Sequence, residues 1–123
     1  MRVVLTLLML LVACPVWAEW IVIGVTSNAV FYIDRATIRK NGDLRRVWVI
    51  QDLKQRDSDG VMSRRVLEEY GCKEKRRRIL EISVHSERMA GGHNLDTDST
   101  PSEWERIAPG VTAEGIFGVV CAR

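Results

Sequence analysis

Cysteine, histidine and proline are scarce in this sequence, which has three, two and three of them among 123 residues. The candidate zinc ligands beyond the first eighteen residues are Cys72, Cys121, His85 and His93. None of them forms a close pair such as C-x₂-C or H-x₃-H, the spacing typical of zinc sites. The sequence therefore predicts neither a metal centre nor a bound cofactor.

Familiar catalytic motifs are missing as well. The sequence contains no G-x-S-x-G, no H-E-x-x-H and no P-loop. Glu68 and Glu69 are adjacent, but neighbouring residues of a strand point to opposite faces, so the two carboxylates do not form an acid/base pair. Asp57 and Asp59 precede Gly60 in a polar loop that lacks the further ligands of a calcium site. We therefore predict that the protein has no enzymatic activity.

A strong excess of one charge is also missing. Lys and Arg together number 18 and Asp and Glu 16, which gives a formal net charge of +2. A domain that binds nucleic acid usually carries a marked basic excess on one face. The composition therefore argues against nucleic acid as the partner.

Only one long apolar run is present, at residues 3–13, directly after Arg2. It is too short for a membrane span of about 20 residues, whereas a cationic start, a short apolar run and a closing small residue are typical of a signal peptide. We predict a signal peptide at 1–18 and one domain at 19–123, with a net charge of +1 because Arg2 is lost. The segment "LVAC", which ends at Cys14, is an alternative lipidation site and the one predicted route to a membrane.

Both processing routes leave the same two cysteines available for a disulfide. Cleavage after Ala18 removes Cys14 and lipidation consumes it, so Cys72 and Cys121 are left as a pair. In an oxidising compartment a lone pair is expected to form a disulfide. Both routes imply that the protein is exported.

Alternating apolar residues predict the fold. The segments "WIVIGVTS" (20–27) and "VFYI" (30–33) are typical of strands, and Asn41-Gly42 is a strong hairpin signal. Two half-buried strands flank "GCKEKR", with Leu80, Ile82 and Val84 expected on one face. Together these patterns predict an α+β fold: an antiparallel sheet of about six strands with a short C-terminal helix packed on one face and one disulfide.

Several local features are also predicted. Trp48 is expected in the core of a central strand, and Trp104 is expected to be the most exposed of the tryptophans. A single helical turn is expected at residues 102–105, after Pro101. Thr112 is expected to cap the C-terminal helix.

The most basic stretch of the chain lies between two predicted strands. Residues 71–76 are expected to form a surface turn, and the candidate ligand-binding residues are Lys73, Lys75, Arg76, Arg77 and Arg78. Two interpretations stay open. The charges belong to a solvated turn without a partner, or they form a basic edge that docks an acidic protein segment or a sulfated glycan.

The segments "EWIVIG", "FYIDRATIRKNGDLRRVWVI", "EEYGCKEKRRRIL", "PSEWERIAPG" and "VVC" together resemble the surface-adhesin protein E family of Gram-negative bacteria. The resemblance extends over essentially the whole predicted mature chain, and together with export it implies a location in the periplasm or at the outer-membrane surface. It implies a small antiparallel sheet with a C-terminal helix, and adhesion to host extracellular-matrix and serum proteins such as laminin, vitronectin and plasminogen. The alternative is a periplasmic structural or stress-related domain without a host ligand. The oligomeric state stays open, a homodimer included.

Overall fold

The computed structural model describes residues 18–122. The predicted signal peptide up to Trp17, and with it Cys14, lies outside the described residues. The strands are β1 (Trp20–Val25), β2 (Ala29–Asp34), β3 (Arg39–Asn41), β4 (Leu44–Leu53), β5 (Ser63–Gly71), β6 (Arg76–His85), β7 (Asn94–Asp98) and β8 (Glu105–Arg106). The helix is α1 (Thr112–Val120), and two 3-10 turns occupy Arg35–Thr37 and Arg88–Ala90.

All strand pairs are antiparallel, and the strand order differs between the two ends of the sheet because β2 and β3 pair with different parts of β4. The main order is β1-β2-β4-β5-β6-β7, with β3 added to β4 and β8 added to β6. The last five residues of β4, Val49 to Leu53, pair with β2, and its first three, Leu44 to Arg46, pair with β3. At the end of the sheet that contains Leu44 to Arg46, the strand order is therefore β3-β4-β5-β6-β8. The predicted antiparallel sheet with a C-terminal helix is confirmed.

The core lies between the helix and one face of the sheet, here called the helix face. Ile33, Val47 and Tyr70 of the sheet are fully buried there, against Ile116 and Val120 of α1. Burial of such side chains is the main favourable contribution to folding. Gly24 lets the helix start approach the sheet closely, because a Cβ at that position would lie 3.0 Å from Thr112 Cγ2.

The other face, here called the open face, is not covered by α1. Trp48 lies on this face, is only half-buried and belongs to neither apolar core cluster, so its assignment to the core was wrong. The Arg65 guanidinium carbon lies 3.6 Å from the centroid of its ring. Because residues alternate along a strand, Trp48 shares this face with Arg46, while Val47 and Val49 point to the helix.

A β-bulge in β6 overturns one prediction about faces. Leu67 pairs with Glu81 but Glu68 pairs with Ile79, so Leu80 is the extra residue. The bulge reverses the alternation on one side of it. Ile79 therefore joins Ile82 in packing against the core, and Leu80 does not belong to that set.

Three further predictions concern loops and caps. The hairpin at Asn41-Gly42 is confirmed, with Gly42 at a φ of 58°. The helical turn at residues 102–105 was wrong, because Ser102 bonds the edge of β6 at Ile79 instead and Glu105 opens β8. Thr112 is the first helical residue rather than the cap, and the cap position is held by Val111 without a side-chain hydrogen bond.

Candidate binding site

The turn between β5 and β6 is shorter than predicted. It comprises Cys72 to Lys75, because β5 continues to Gly71 and β6 already begins at Arg76. Lys75 has a φ of 50°, a left-handed conformation that is uncommon for a residue other than glycine. The tight turn therefore leaves Lys73 and Lys75 outside the strands and places Arg76, Arg77 and Arg78 within one.

This turn is fastened to its surroundings at three points. Cys72 and Cys121 are joined by a disulfide with a Cα–Cα distance of 5.6 Å, which confirms the predicted bond. The Cys72 amide donates to the Asp43 carbonyl at 2.9 Å, which links the two neighbouring hairpin turns. Lys75 Nζ lies 3.4 Å from Glu114 Oε2 in the first turn of the helix. The turn is therefore a junction of the fold as well as a charged surface.

The five basic residues around the turn do not share one surface. Strand alternation sends Arg76 and Arg78 to the open face and Arg77 to the helix face. Their cross-strand partners show the same division, since Arg78 pairs with Glu69 and Arg77 pairs with Tyr70. A single basic edge made of all five residues does not exist in this fold.

Arg77 has a structural partner on the helix face. Its Nη1 donates to Glu68 Oε1 at 2.8 Å, and the Tyr70 hydroxyl donates to the same oxygen at 2.8 Å. Both Tyr70 and Glu68 are buried. Burial raises the pKa of the Tyr70 phenol, and the negative charge of Glu68 raises it further. Arg77 therefore neutralises a buried carboxylate and is not a free surface charge.

Glu69 organises the open face. It is 1 % exposed, and its two oxygens accept from Arg46 Nε at 2.8 Å and from Arg78 Nε at 2.9 Å. Burial raises the pKa of the Glu69 carboxyl, but the hydrogen bonds and positive charges of Arg46 and Arg78 outweigh it and leave the pKa below its usual value. One buried carboxylate therefore fixes two guanidinium groups side by side.

The lowered pKa predicts an acid-sensitive contribution to stability. Because the folded pKa of Glu69 lies below the unfolded value of about 4.3, the contribution is present above pH 4.3 and is lost as the pH falls through the folded pKa. We expect Glu69→Gln to reduce the free energy of unfolding at pH 7 and to reduce it much less at pH 2.5. Urea titrations of both proteins at the two pH values measure the difference. An equal loss at both pH values would contradict the assignment.

Trp104 connects two of the arginines to β8. The guanidinium carbons of Arg76 and Arg78 lie 4.3 and 4.6 Å from the centroid of its ring, within the range of cation–π attraction. Arg76 Nε also lies 3.0 Å from Glu74 Oε2. Trp104 is thus half-buried beneath guanidinium groups. Trp20 and Trp48 are half-buried as well, so the ranking of Trp104 as the most exposed tryptophan stays a prediction.

Three further arginines, which the sequence did not single out, lie at the same end of the open face. Arg39 of β3 pairs with Arg46 of β4, and Arg106 of β8 pairs with Arg76 of β6. We use the name arginine face for the set Arg39, Arg46, Arg76, Arg78 and Arg106. The set becomes visible only when the strand register is known, because its members are far apart in the sequence.

Two other features of the structure bring polar side chains together. On the helix side, a cavity of about 390 Å³ opens beside the helix start, with Glu68 and Arg77 on its polar wall and Phe31 and Ile107 on its apolar wall. On β6, Ser83 Oγ lies 2.8 Å from His85 Nε2. Burial lowers the pKa of the His85 imidazole, and the charge of Arg65 lowers it further. Within residues 18–122, no carboxylate hydrogen-bonds His85, so the pair lacks the orienting group of a catalytic triad.

Among the described residues, no group of three or more His, Cys, Asp or Glu side chains is arranged to hold a metal ion. None of the helices in that part of the chain has the length and apolarity needed to span a membrane.

Comparison with known proteins identifies the family. No curated protein matches the sequence. Crystal form II of protein E from Haemophilus influenzae superposes with a TM-score of 0.64 at 14% identity, over 81% of this chain and 91% of that one. The selenomethionine form gives a TM-score of 0.63 at 13% identity, over 81% and 90% of the two chains. Protein E from a non-typeable Haemophilus influenzae strain gives 0.59 at 13% identity, over 80% and 78%. The family model for surface-adhesin protein E matches residues 20–122, and the chain therefore belongs to the surface-adhesin protein E family.

Proposed function

We propose that this protein is a non-catalytic binding module, exported to the bacterial envelope, that attaches to host extracellular-matrix or serum proteins. The observation that carries the proposal is the family match over residues 20–122, which includes the whole folded domain. The predicted signal peptide at residues 1–18 supports export.

The geometry also supports binding through charge. The turn residues Lys73 and Lys75 and the neighbouring Arg76 lie at one end of the sheet, and their side chains are half-buried to exposed. Charges at the rim of an interface act mainly on the association rate and its salt dependence. An acidic segment of a host protein is therefore a suitable partner for this end of the molecule.

Binding to host proteins is tested with the purified protein. Laminin, vitronectin and plasminogen are immobilised, and association of the purified protein is measured at 50 and 150 mM salt. We expect saturable binding to at least one of them and slower association of Lys73→Ser/Lys75→Ser/Arg76→Ser at the lower salt. Lys54→Ser, in the loop after β4, is the control for a lost exposed charge. Absence of saturable binding to all three proteins would contradict the proposal.

A second candidate is a periplasmic structural domain without a host ligand, favoured by the small-residue site "VWA" at residues 16–18. The N-terminal mass of the mature protein and its digestion by protease on intact cells separate the two. A chain that starts at Glu19 and resists external protease supports the periplasmic role, whereas lipidation at Cys14 and digestion support the surface role.

A further inference from the structure

We propose that the arginine face binds a linear sulfated glycan. The proposal rests on the function proposed above, because it assumes that the domain reaches the host surface. Its starting point is the set of five arginines that the strand register brings to one end of the open face.

The five side chains form two rows across the sheet. One row runs from Arg39 through Arg46 and Glu69 to Arg78, and the next contains Arg76 and Arg106. Neighbouring strands are about 4.8 Å apart, so β3 and β8 are separated by about 19 Å. The face therefore extends well beyond what a single small anion can contact.

The charges on this face are only partly neutralised. Arg39 opposes Arg46, and Arg76 opposes Arg106, and directly opposed like charges destabilise a sheet. Among the described residues, the carboxylates in contact with the five arginines are Glu69 and Glu74. A polyanion bound across the arginine face would reduce the repulsion in both arginine pairs, so the face is complementary in charge to such a ligand.

The chemistry of the face favours sulfate. All five side chains are arginines, and a guanidinium is weakly hydrated and offers a planar pair of donors to a tetrahedral oxyanion. Glu69 holds Arg46 and Arg78 in place, so little rotamer freedom remains to be lost at these positions on binding. The ring of Trp104 is already engaged by two guanidinium groups, which leaves it poorly placed to stack on nucleic-acid bases.

The test uses heparin fragments of graded length and the exported protein, with affinity measured by calorimetry at 150 mM salt. Arg39→Gln/Arg106→Gln removes the two outermost charges, and neither side chain contacts Glu69. We expect this variant to bind long fragments about tenfold more weakly than the wild-type protein does. The affinity for the shortest fragments should change by less than about twofold, since only a long fragment reaches both position 39 and position 106. The control variant Lys54→Gln/Arg56→Gln removes two exposed charges in the loop after β4. It should change the affinity for long and for short fragments by less than about twofold.

Four results would overturn the proposal. One is an equal loss of affinity in both double variants, and another is undiminished binding of a fully desulfated fragment. The third is equally tight binding of a DNA duplex of matched charge, which would point to nucleic acid. If Arg39→Gln/Arg106→Gln fails to fold by thermal melting, Arg106→Gln alone provides the comparison. The fourth is the absence of affinity for heparin in a protein that still binds heparinase-treated matrix proteins, and it would refute only this inference and not the proposed function.

Discussion

Replacing Cys72 and Cys121 by alanine together should lower the free energy of unfolding by about 2 to 5 kcal/mol, the range for a native disulfide in a small secreted domain. The bond closes a loop across a sequence separation of 49 and ties the end of α1 to the β5–β6 turn. The helix has only nine residues, and an isolated helix of that length is marginal in water. Urea unfolding at pH 7 measures the loss.

The matched control is the wild-type protein treated with reductant. It should lose about the same stability as the double variant, and reductant should not affect the double variant further. If the double variant lost less than about 1 kcal/mol, the packing of Ile116 and Val120 alone would hold the helix on the sheet.

Replacing Arg77 by serine should lower the free energy of unfolding by about 2 to 3 kcal/mol. The change leaves the buried Glu68 carboxylate with the Tyr70 hydroxyl as its remaining hydrogen-bond partner. Breaking a fully buried ion pair costs about 3 to 5 kcal/mol. The expected loss is smaller because the Arg77 side chain is 30% exposed, so the ion pair is not fully buried.

Lys73→Ser removes the same charge from the same hairpin without such a partner, and it should change stability by less than about 0.5 kcal/mol. Chemical denaturation of the two single variants under identical conditions makes the comparison. Equal losses would mean that Arg77 is an ordinary turn charge and that Glu68 finds another partner. Any binding assay that includes Arg77 variants must therefore first establish their stability.

Local signals predicted much of this fold. The Asn41-Gly42 hairpin, the strand pair around the basic turn and the Cys72–Cys121 bond all depend on short patterns or on simple counting. The strand β7 escaped prediction because Leu95 is the one large apolar residue of "NLDTD" and the whole segment is exposed at the edge of the sheet. Its pairing depends on β6, which no local pattern in the segment can reveal.

Register is the property that sequence patterns could not supply. The bulge at Leu80 shifts the alternation of β6 by one residue, and without it Ile79 would point away from the core. The arginine face has the same origin, since Arg39 meets Arg46 only when β3 takes its place beside β4. The clustering around Lys73 to Arg78 was plain in the sequence, but the division of those residues between two faces was not.

The disulfide also determines how the domain would respond to a mechanical load. A force that pulls on both ends of the chain passes from Cys121 directly to Cys72, so the intervening segment carries no tension. At about 3.4 Å per residue, that segment would otherwise contribute roughly 165 Å of extension. Strands β6, β7 and β8 and the helix lie within it, whereas β1 to β5 remain in the loaded path. A force applied to both ends of the chain would thus unravel β1 to β5 and leave the segment from Cys72 to Cys121 as a closed loop that cannot extend.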